Sequence, residues 1–335
     1  MLRAFSVVAI AHAAKYVLDE SFPDLSGVPE AILANFSNVR CVAFDGTDLH
    51  AVHLGTPPIL TFSSATGAFQ RAWGTDALVH PHGCVHHDGE LWIADAINDP
   101  SRRLYGDFTV RRVSVATGAL LTKLGRSGYE GSGRHPFELA EVTDVAWGSG
   151  ALFISDGGDG DGLNERVSRL DGESYEPIWI RGTNGTVDTS DDPVGNFSQL
   201  HSVTVDESRN RVWLADRGHN RVVALDASTG AFVGAWPCVK DVNGAGPNSV
   251  RWDAPRDRLV VSVGNGGPGR EPKANSYVFA LEGASPPGAC VFASPPLKTA
   301  TTDNAHEIAI DEMTGDLYVA FEDDKLGMPR RYHLA

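Results

Sequence analysis

The sequence predicts an all-β fold, a six-bladed β-propeller whose last blade is completed by an N-terminal strand. Three observations predict it: an apolar, β-rich phrase recurs along the chain, Gly-containing hairpins follow several of its copies, and heptads typical of helices are scarce. The 36 glycines and 19 prolines suit many short strands joined by tight turns. Because all-β chains of this length commonly fold around one core, we expect a single domain over residues 14–335.

The recurring phrase marks the second strand of each repeat. Its copies are rich in Val, Ile, Leu and aromatic residues, which favour strands. They lie roughly 40 to 60 residues apart, a period typical of propeller blades. Six copies imply six blades, and they begin at Leu49, Leu91, Leu152, Val212, Leu259 and Leu317.

An inner strand precedes each copy of the phrase, and a third and a fourth strand follow most copies. The hairpin after the third strand repeats as Ala-Thr-Gly-Ala at 65–68 and 116–119, which places Gly where a tight turn needs positive φ. The inner strands are predicted to begin near Arg40, His82, Thr143, His201, Asn248 and His306.

The two ends of the chain are predicted to meet in the sixth blade. The last repeat stops after its third strand at 331–334, and the strand-like segment 16–18 has no blade of its own. An N-terminal strand added to blade six would remove the edge that a ring otherwise leaves exposed.

Charge restricts the range of partners. The net charge of −15 and the absence of a Lys/Arg block argue against nucleic acid as a partner. A solvated acidic surface explains the charge, and a basic substrate stays open. No segment after the N-terminus is apolar and long enough to span a membrane. We expect a monomer that binds a small peptide or a small-molecule substrate.

The N-terminus resembles a secretion signal. A short basic start, an apolar run over 4–11 and the small residues around His12 predict a signal peptide over residues 1–13, the alternative being an ordinary N-terminal strand. The prediction places the protein outside the cell or in the secretory lumen. Three glycan sequons then become meaningful, at Asn35, Asn184 and Asn196.

Four cysteines are compatible with an oxidising compartment. Cys238 and Cys290 lie in excursions of blades four and five that could meet, so we expect them to be paired. Cys41 and Cys84 fall in inner strands, where we expect two buried free thiols.

Three histidines occupy the same position of the repeat. His82, His201 and His306 each stand at the first position of an inner strand, in blades two, four and six. Inner strands line the channel of a propeller, so equivalent positions of alternate blades converge on its axis. Three imidazoles with an open fourth position are the arrangement by which zinc activates an oxygen. The sequence therefore predicts an axial zinc site.

Longer stretches of the chain resemble the peptidyl-α-hydroxyglycine α-amidating lyases and related secreted NHL-repeat propellers. The likeness covers most of the chain. It is carried by Pro81-His82-Gly83, Leu124-Gly125-Arg126-Ser127, Thr143-Asp144-Val145-Ala146, Leu200-His201-Ser202-Val203, Ala215-Asp216-Arg217 and Ala305-His306-Glu307-Ile308.

The resemblance implies metal sites. In the family the three matching histidines hold zinc, and a structural calcium is bound by two backbone carbonyls and an aspartate. The matching positions are Val42, Cys84 and Glu307, where Glu stands for the family's Asp. Asp159 and Asp161 offer another calcium site, with an Asp/Gly-rich hairpin tip as the alternative.

The resemblance also implies a catalytic set, of which one member is kept. Arg217 matches a family arginine and is the candidate catalytic residue, suited to pairing with a substrate carboxylate. Leu54 stands where the family has a second arginine, Gly158 where it has a tyrosine and Asn304 where it has a methionine. Tyr129, in an insertion between blades two and three, offers a replacement for the tyrosine.

Three functions follow from these residues. The first is a lyase that cleaves peptidyl-α-hydroxyglycine to a peptide amide and glyoxylate. The second is a non-catalytic binding module that keeps the metal as a structural element. The third is a hydrolase that uses a nearby base such as Glu307 or Asp216. The replaced residues at Leu54, Gly158 and Asn304 favour weak or absent lyase turnover.

Overall fold

The structure of the protein, a computed structural model, describes residues 16–36, 38–74, 78–95, 107–133, 137–158, 164–184, 196–236, 246–263, 277–282, 290–292, 304–322 and 327–335. Within these ranges the chain is built almost wholly of strands. Its helical segments there are α1 (Glu30–Leu33) and two 3₁₀ turns, Glu207–Arg209 and Ala254–Arg256. None of these helices is long and apolar enough to cross a membrane.

The strands of the described ranges form six four-stranded antiparallel sheets, numbered here in the chain order of their inner strands. Sheet 1 consists of β2 (Val39–Phe44), β3 (Asp48–His53), β4 (Ile59–Ser63) and β5 (Phe69–Trp73), and sheet 2 of β6 (Pro81–His87), β7 (Glu90–Asp95), β8 (Thr109–Ser114) and β9 (Leu120–Gly125). Sheet 3 consists of β10 (Val142–Gly148), β11 (Ala151–Asp156), β12 (Asn164–Asp171) and β13 (Pro177–Asn184), and sheet 4 of β14 (Leu200–Asp206), β15 (Arg211–Asp216), β16 (Arg221–Asp226) and β17 (Phe232–Trp236). Sheet 5 consists of β18 (Pro247–Asp253), β19 (Arg258–Val263), β20 (Tyr277–Glu282) and β21 (Cys290–Phe292), and sheet 6 of β22 (Asn304–Ile310), β23 (Leu317–Glu322), β24 (Arg330–Leu334) and β1 (Tyr16–Asp19).

The sheets are arranged in a ring. The inner strand of each sheet contacts the inner strand of the next, and β22 of the last sheet contacts β2 of the first. The core lies between neighbouring sheets, where apolar side chains interdigitate. Between sheets 1 and 2, for example, Val52 and Ile59 pack with Leu91 and Ile93, all fully buried. The predicted all-β propeller fold is confirmed.

The N-terminal strand closes the last sheet as predicted. β1 pairs antiparallel with β24, with Tyr16 opposite Leu334 and Asp19 opposite Arg331. Tyr16 is 1% exposed, and its hydroxyl accepts a hydrogen bond from Arg258 of sheet 5. Burial raises the pKa of Tyr16 to about 12, so the hydroxyl stays protonated. The strand is therefore bound through its core-facing side chain as well as its backbone.

A carboxylate at the end of the second strand fixes the start of the inner strand in three sheets. Each of these Asp residues is fully buried, accepts a hydrogen bond from a backbone N–H just before the inner strand, and pairs with an Arg of the third strand. The ion pairs are Asp95–Arg111 at 2.6 Å, Asp156–Arg166 at 3.1 Å and Asp216–Arg221 at 2.6 Å. In these three sheets the recurring sequence of the second strand thus ends on the Asp carboxylate that positions the start of the inner strand.

The predicted cysteine pairing is wrong for two of the four cysteines. Cys41 of β2 and Cys84 of β6 form a disulfide, with Cα atoms 5.9 Å apart, instead of two free thiols. The prediction overlooked that β2 and β6 are neighbouring inner strands of adjacent sheets, which brings the two Cα atoms into the range that a disulfide spans. Both cysteines are buried, as expected.

Several predictions fall outside the described residues. These are the signal peptide over 1–13, the possible calcium ligands Asp159 and Asp161, and Cys238, the expected partner of Cys290.

Candidate metal centre

A β-bulge recurs near the start of every inner strand. Each inner strand carries one residue more than its neighbour in the same sheet over this stretch. Bulges of this kind change the direction of a side chain and are common beside functional sites. The additional residue falls at or directly beside Arg40, His82, Thr143, His201, Asn248 and His306. The repeat position recognised in the sequence is therefore a repeated backbone irregularity at the channel.

The bulges bring the three predicted histidines together. His82, His201 and His306 are at most 1% exposed, and their ligand nitrogens all lie within 4.8 Å of one another. Their ring centroids are 4.5 to 4.9 Å apart. Three side chains from sheets 2, 4 and 6 thus converge on one point, and this triad could hold a metal ion.

Backbone carbonyls of the alternate sheets orient the three rings. Nδ1 of His82 donates to the carbonyl of Thr143 at 2.7 Å, and Nδ1 of His201 to that of Asn248 at 2.7 Å. Nδ1 of His306 donates to the carbonyl of Arg40 at 2.6 Å. A carbonyl only accepts, so Nδ1 carries the proton in each neutral ring and Nε2 is the available ligand.

The donor set fits a transition metal such as zinc. Ligating histidines commonly donate their second N–H to a carbonyl or a carboxylate, which fixes the tautomer. All three rings make this contact with residues at the same repeat position of the next sheet. Among the described residues no fourth imidazole joins the triad, and a set of three protein ligands is typical of catalytic zinc sites.

Arg217 lies at the end of the channel where the inner strands begin. It directly follows Asp216, the last residue of β15, and is 8% exposed. Gly246, two residues before the bulge residue Asn248, allows the close approach: a side-chain carbon on Gly246 would lie 2.6 Å from the Arg217 carbonyl oxygen. The predicted role of Arg217 toward a substrate carboxylate stays a prediction.

At Gly158, which the sequence analysis compared with a family tyrosine, the space for a side chain is filled by a carboxylate from another segment. Gly158 has φ +47°, and a side-chain carbon there would overlap Oε2 of Glu141. Glu141 is 8% exposed and lies two residues before the bulge residue Thr143. Sequence comparison at position 158 alone could not have found Glu141, because the replacement comes from a different segment.

A second carboxylate lies beside Glu141. Oε1 and Oε2 of the buried Glu165 accept hydrogen bonds from the backbone N–H groups of Gln199 and Leu200, at 2.9 and 3.1 Å. Burial, with added repulsion from Asp216 and Glu141, raises the pKa of Glu165 to about 8. Glu165 belongs to the third strand of sheet 3, where no repeat position marked it in the sequence.

The other residues compared with the family belong to other segments of the chain. Leu54 is half-buried just after β3, and Asn304 begins β22. Tyr129 is 45% exposed, with the Arg126 guanidinium 4.2 Å from its ring centroid. Glu141, not Tyr129, is the side chain that fills the space at Gly158.

Glu307, one of the three possible calcium ligands, meets a different environment from the one calcium needs. Glu307 is fully buried, and its Oε2 lies 3.0 Å from Nη2 of Arg251. Burial raises the pKa of Glu307 well above its usual value, and the charge of the Arg251 guanidinium acts against this rise and favours the carboxylate. Val42 and Cys84, whose backbone carbonyls match the other two ligands, are both buried. A guanidinium directly beside the carboxylate does not fit a divalent cation at Glu307.

A cavity of about 760 Å³ opens at the other end of the channel, away from the histidines. Its lining includes Phe44, His86, Trp147, Trp252 and Arg251, which belong to the later parts of the inner strands. None of the three histidines lines it. The cavity and the candidate metal centre are therefore separate features of the molecule.

Fold and repeat pattern together define the class: this is a β-propeller built of NHL repeats. The sequence profile of the NHL repeat matches residues 197–225, which include His201 and the first three strands of sheet 4. The fold is shared with a solved luciferin-regenerating enzyme at TM-score 0.58 and 13% identity, over 90% of this chain and 93% of that one.

The chain belongs to the family of NHL repeat-containing protein 3. It is 31% identical to the Mus musculus protein of that name over 290 residues, which are 84% of this chain and 75% of the relative. A probable peptidyl-alpha-hydroxyglycine alpha-amidating lyase of Caenorhabditis elegans is 25% identical over 157 residues, 46% of this chain and 39% of that protein. The resemblance inferred from the motifs is confirmed.

Proposed function

We propose that the chain is a six-bladed NHL propeller that holds one zinc ion on its axis and exposes it to a small substrate. The observation that carries the proposal is the set of three buried imidazoles, each fixed by an Nδ1–H bond to a carbonyl. Neutral imidazoles whose Nε2 atoms face one point are prepared to bind a metal without rearrangement. The substrate approaches from the end of the channel where the inner strands begin.

The reaction that suits this site is cleavage of an N–C bond next to a hydroxyl, as in a peptidyl-α-hydroxyglycine. The N–C bond breaks, the hydroxyl carbon and oxygen become the aldehyde of glyoxylate, and the hydroxyl proton goes to the amide nitrogen. A bound zinc ion supplies Lewis acidity at the substrate oxygen. Arg217 is suited to pair with the substrate carboxylate through its planar guanidinium.

Turnover of such a substrate is weak in this proposal, because two catalytic groups of the resembling lyases are replaced. Leu54 cannot pair with a carboxylate, and Gly158 carries no group for proton transfer. Loss of one positioned acid or base typically lowers a rate by about 10²- to 10⁴-fold. If turnover is absent altogether, the protein is a non-catalytic binding module that keeps the metal as a structural element.

One observation favours residual catalysis over a purely structural metal. Glu141 occupies the space beside Gly158, and the neighbouring Glu165 has a pKa raised to about 8. A carboxyl group in this position is able to carry a proton between the hydroxyl and the amide nitrogen. Glu141→Gln should therefore lower any measured turnover without lowering the metal content.

We also propose that the protein is a secretory monomer. The Cys41–Cys84 disulfide supports an oxidising compartment, since stable disulfides are rare in the cytosol. Asn35, the first residue of a sequon, is exposed and thus accessible to a glycan. The proposal expects no nucleic-acid partner, in keeping with the acidic net charge.

Metal analysis of the purified protein tests the proposal first. We expect about one zinc per chain in the wild type and loss of most of it in His201→Ala, because two imidazoles alone bind zinc weakly. His86→Ala is the matched control, since His86 lies outside the triad and lines the opposite cavity. A wild-type protein without metal, or a His201→Ala variant with full metal, contradicts the axial site.

A turnover assay on a synthetic α-hydroxyglycine peptide tests the chemistry separately. We expect glyoxylate to form slowly or not at all, at unchanged metal content. Rates equal to those of an authentic lyase assayed in parallel would contradict the weak-turnover proposal while leaving the metal site intact.

A further inference from the structure

A second layer of charged residues lies next to the histidine layer in the channel. Asp144 and Glu307 each directly follow a bulge residue, Thr143 and His306, and both are fully buried. They come from sheets 3 and 6, on opposite sides of the ring. Two buried carboxylates in one channel need a compensating cation.

The compensating cation is supplied by the chain itself. Arg251 of β18 places Nη1 2.7 Å from Oδ2 of Asp144 and Nη2 3.0 Å from Oε2 of Glu307. Nη1 is also 3.0 Å from Oγ of Ser202. Carbonyls of Val203 and Val250 accept from the same nitrogen at 3.3 and 2.9 Å.

The atoms around this guanidinium are the kind of ligand that a hard divalent cation takes. They are two carboxylates, a hydroxyl and two backbone carbonyls, all oxygens. Ser202 also donates to Asp144 at 2.7 Å, which fixes the carboxylate toward the channel. Gly83 makes room for the layer, because a side-chain carbon there would lie 2.6 Å from Oδ1 of Asp144.

We propose that the guanidinium of Arg251 is the built-in structural cation of this channel and takes the place of a bound calcium ion between Asp144 and Glu307. A calcium ion added to this layer would meet a fixed positive charge within a few ångströms, in surroundings with little water to screen it. The layer is therefore complete without calcium. Without the guanidinium, its two carboxylates would face each other and attract a divalent cation.

The guanidinium of Arg251 also separates the charged layer from the cavity at the far end of the channel. Arg251 lines the cavity at the far end, whereas the histidines and the two carboxylates do not. The guanidinium thus stands between that cavity and the charged layer.

Calcium titration of the wild type is the first test. Protein freed of metal and then reloaded with zinc is titrated with calcium by calorimetry, and its thermal unfolding is followed with and without calcium. We expect no binding heat and an unchanged melting temperature. Stoichiometric calcium binding, or stabilisation by calcium, would overturn the proposal.

Arg251→Met is the second test, since Met keeps much of the side-chain volume and removes the charge. We expect this variant to gain calcium binding, with a dissociation constant of about 0.1 to 1 mM, as in simple extracellular sites. Arg256→Met is the matched control: Arg256 is a partly exposed arginine that follows the same inner strand and pairs with Asp253, and its variant should stay indifferent to calcium.

Folding of Arg251→Met is itself informative. If the variant fails to fold without calcium, the proposal expects refolding with calcium to recover it. A folded variant that ignores calcium, or an unfolded one that calcium does not rescue, would show that the guanidinium does not take the place of a divalent cation.

Discussion

At the scale of single residues, the site depends on where protons are held. Three carbonyls hold a proton on Nδ1 of each histidine, which leaves each Nε2 as a ligand. In sheet 3, burial raises the pKa of Glu165 and so holds a proton on a carboxyl group that is normally ionised. A hydrogen-bond acceptor fixes the proton on each histidine, whereas removal from water retains the proton on Glu165.

Glu165 leads to a prediction about pH. Its pKa is about 8 in the folded protein, against an ordinary value of 4.5, so the folded state holds a proton that the unfolded state has lost between these values. The resulting loss of stability sets in as pH rises through 4.5 and is complete above about 8. Glu165→Gln should remove it, because the amide does not ionise.

The measurement is urea unfolding of wild type and variant at about pH 5 and about pH 8. Relative to the variant, the wild type should lose on the order of 3 kcal/mol between the two pH values. Glu20→Gln, at an exposed position, should run parallel to the wild type. Parallel pH profiles of wild type and Glu165→Gln would mean that Glu165 is ionised in the folded protein.

The sequence predicts the place of a site residue where that residue stands at a repeated position, and not where it lies elsewhere. The histidines stand at one repeat position, so the repeat alone predicts that they converge. The bulge at that position could not be predicted, because nothing in the sequence signals one additional residue in a strand. Glu141, Glu165 and Arg251 reach their places from other segments, and only the packing of the sheets brings them there.

At the scale of the elements, the inner strands do the positioning and the outer ones complete the sheets. Inner strands are mostly buried and rich in contacts with neighbouring sheets, whereas β9 is largely exposed, with Leu120 and Leu121 at its start. β1 is an exception among the outer strands. It joins the two ends of the chain and buries Tyr16 against sheets 5 and 6.

Deleting residues 14–22 should therefore destabilise the whole ring. The deletion removes the buried side chains of Tyr16 and Phe22, each worth about 1.5 to 3 kcal/mol on burial, and uncovers the edge of β24. For a protein of this size we expect the melting temperature to fall by roughly 6 to 12 °C.

A chain that lacks only residues 1–13 is the control, and its melting temperature should match that of the full chain. Scanning calorimetry of both chains distinguishes the outcomes. If the longer deletion melts at the same temperature as the control, β1 does not close the ring.

At the scale of the whole molecule, a hydrogen-bond network and a disulfide join neighbouring sheets beside the channel. The Arg251 network joins sheets 3, 4, 5 and 6, and the disulfide joins sheets 1 and 2. The sequence suggested neither, because both connect segments distant along the chain. The Cys238–Cys290 pair was predicted because both residues lie in excursions of adjacent blades that could meet. The observed bond depends instead on the contact between two inner strands.

The disulfide gives the last prediction. Because the bond closes a loop of 43 residues in the unfolded chain, its loss in a Cys41→Ser, Cys84→Ser double variant should lower the free energy of unfolding by about 4 kcal/mol. Urea unfolding measures this loss. A peptide map of the non-reduced protein should contain the Cys41 and Cys84 peptides joined, whereas alkylation of both cysteines without reduction would show that they are free thiols. Since the triad takes its histidines from sheets 2, 4 and 6 and a carbonyl from sheet 1, the folded double variant should also bind zinc less tightly than the wild type. Full zinc affinity in that variant would mean that the axial site forms independently of the bond between sheets 1 and 2.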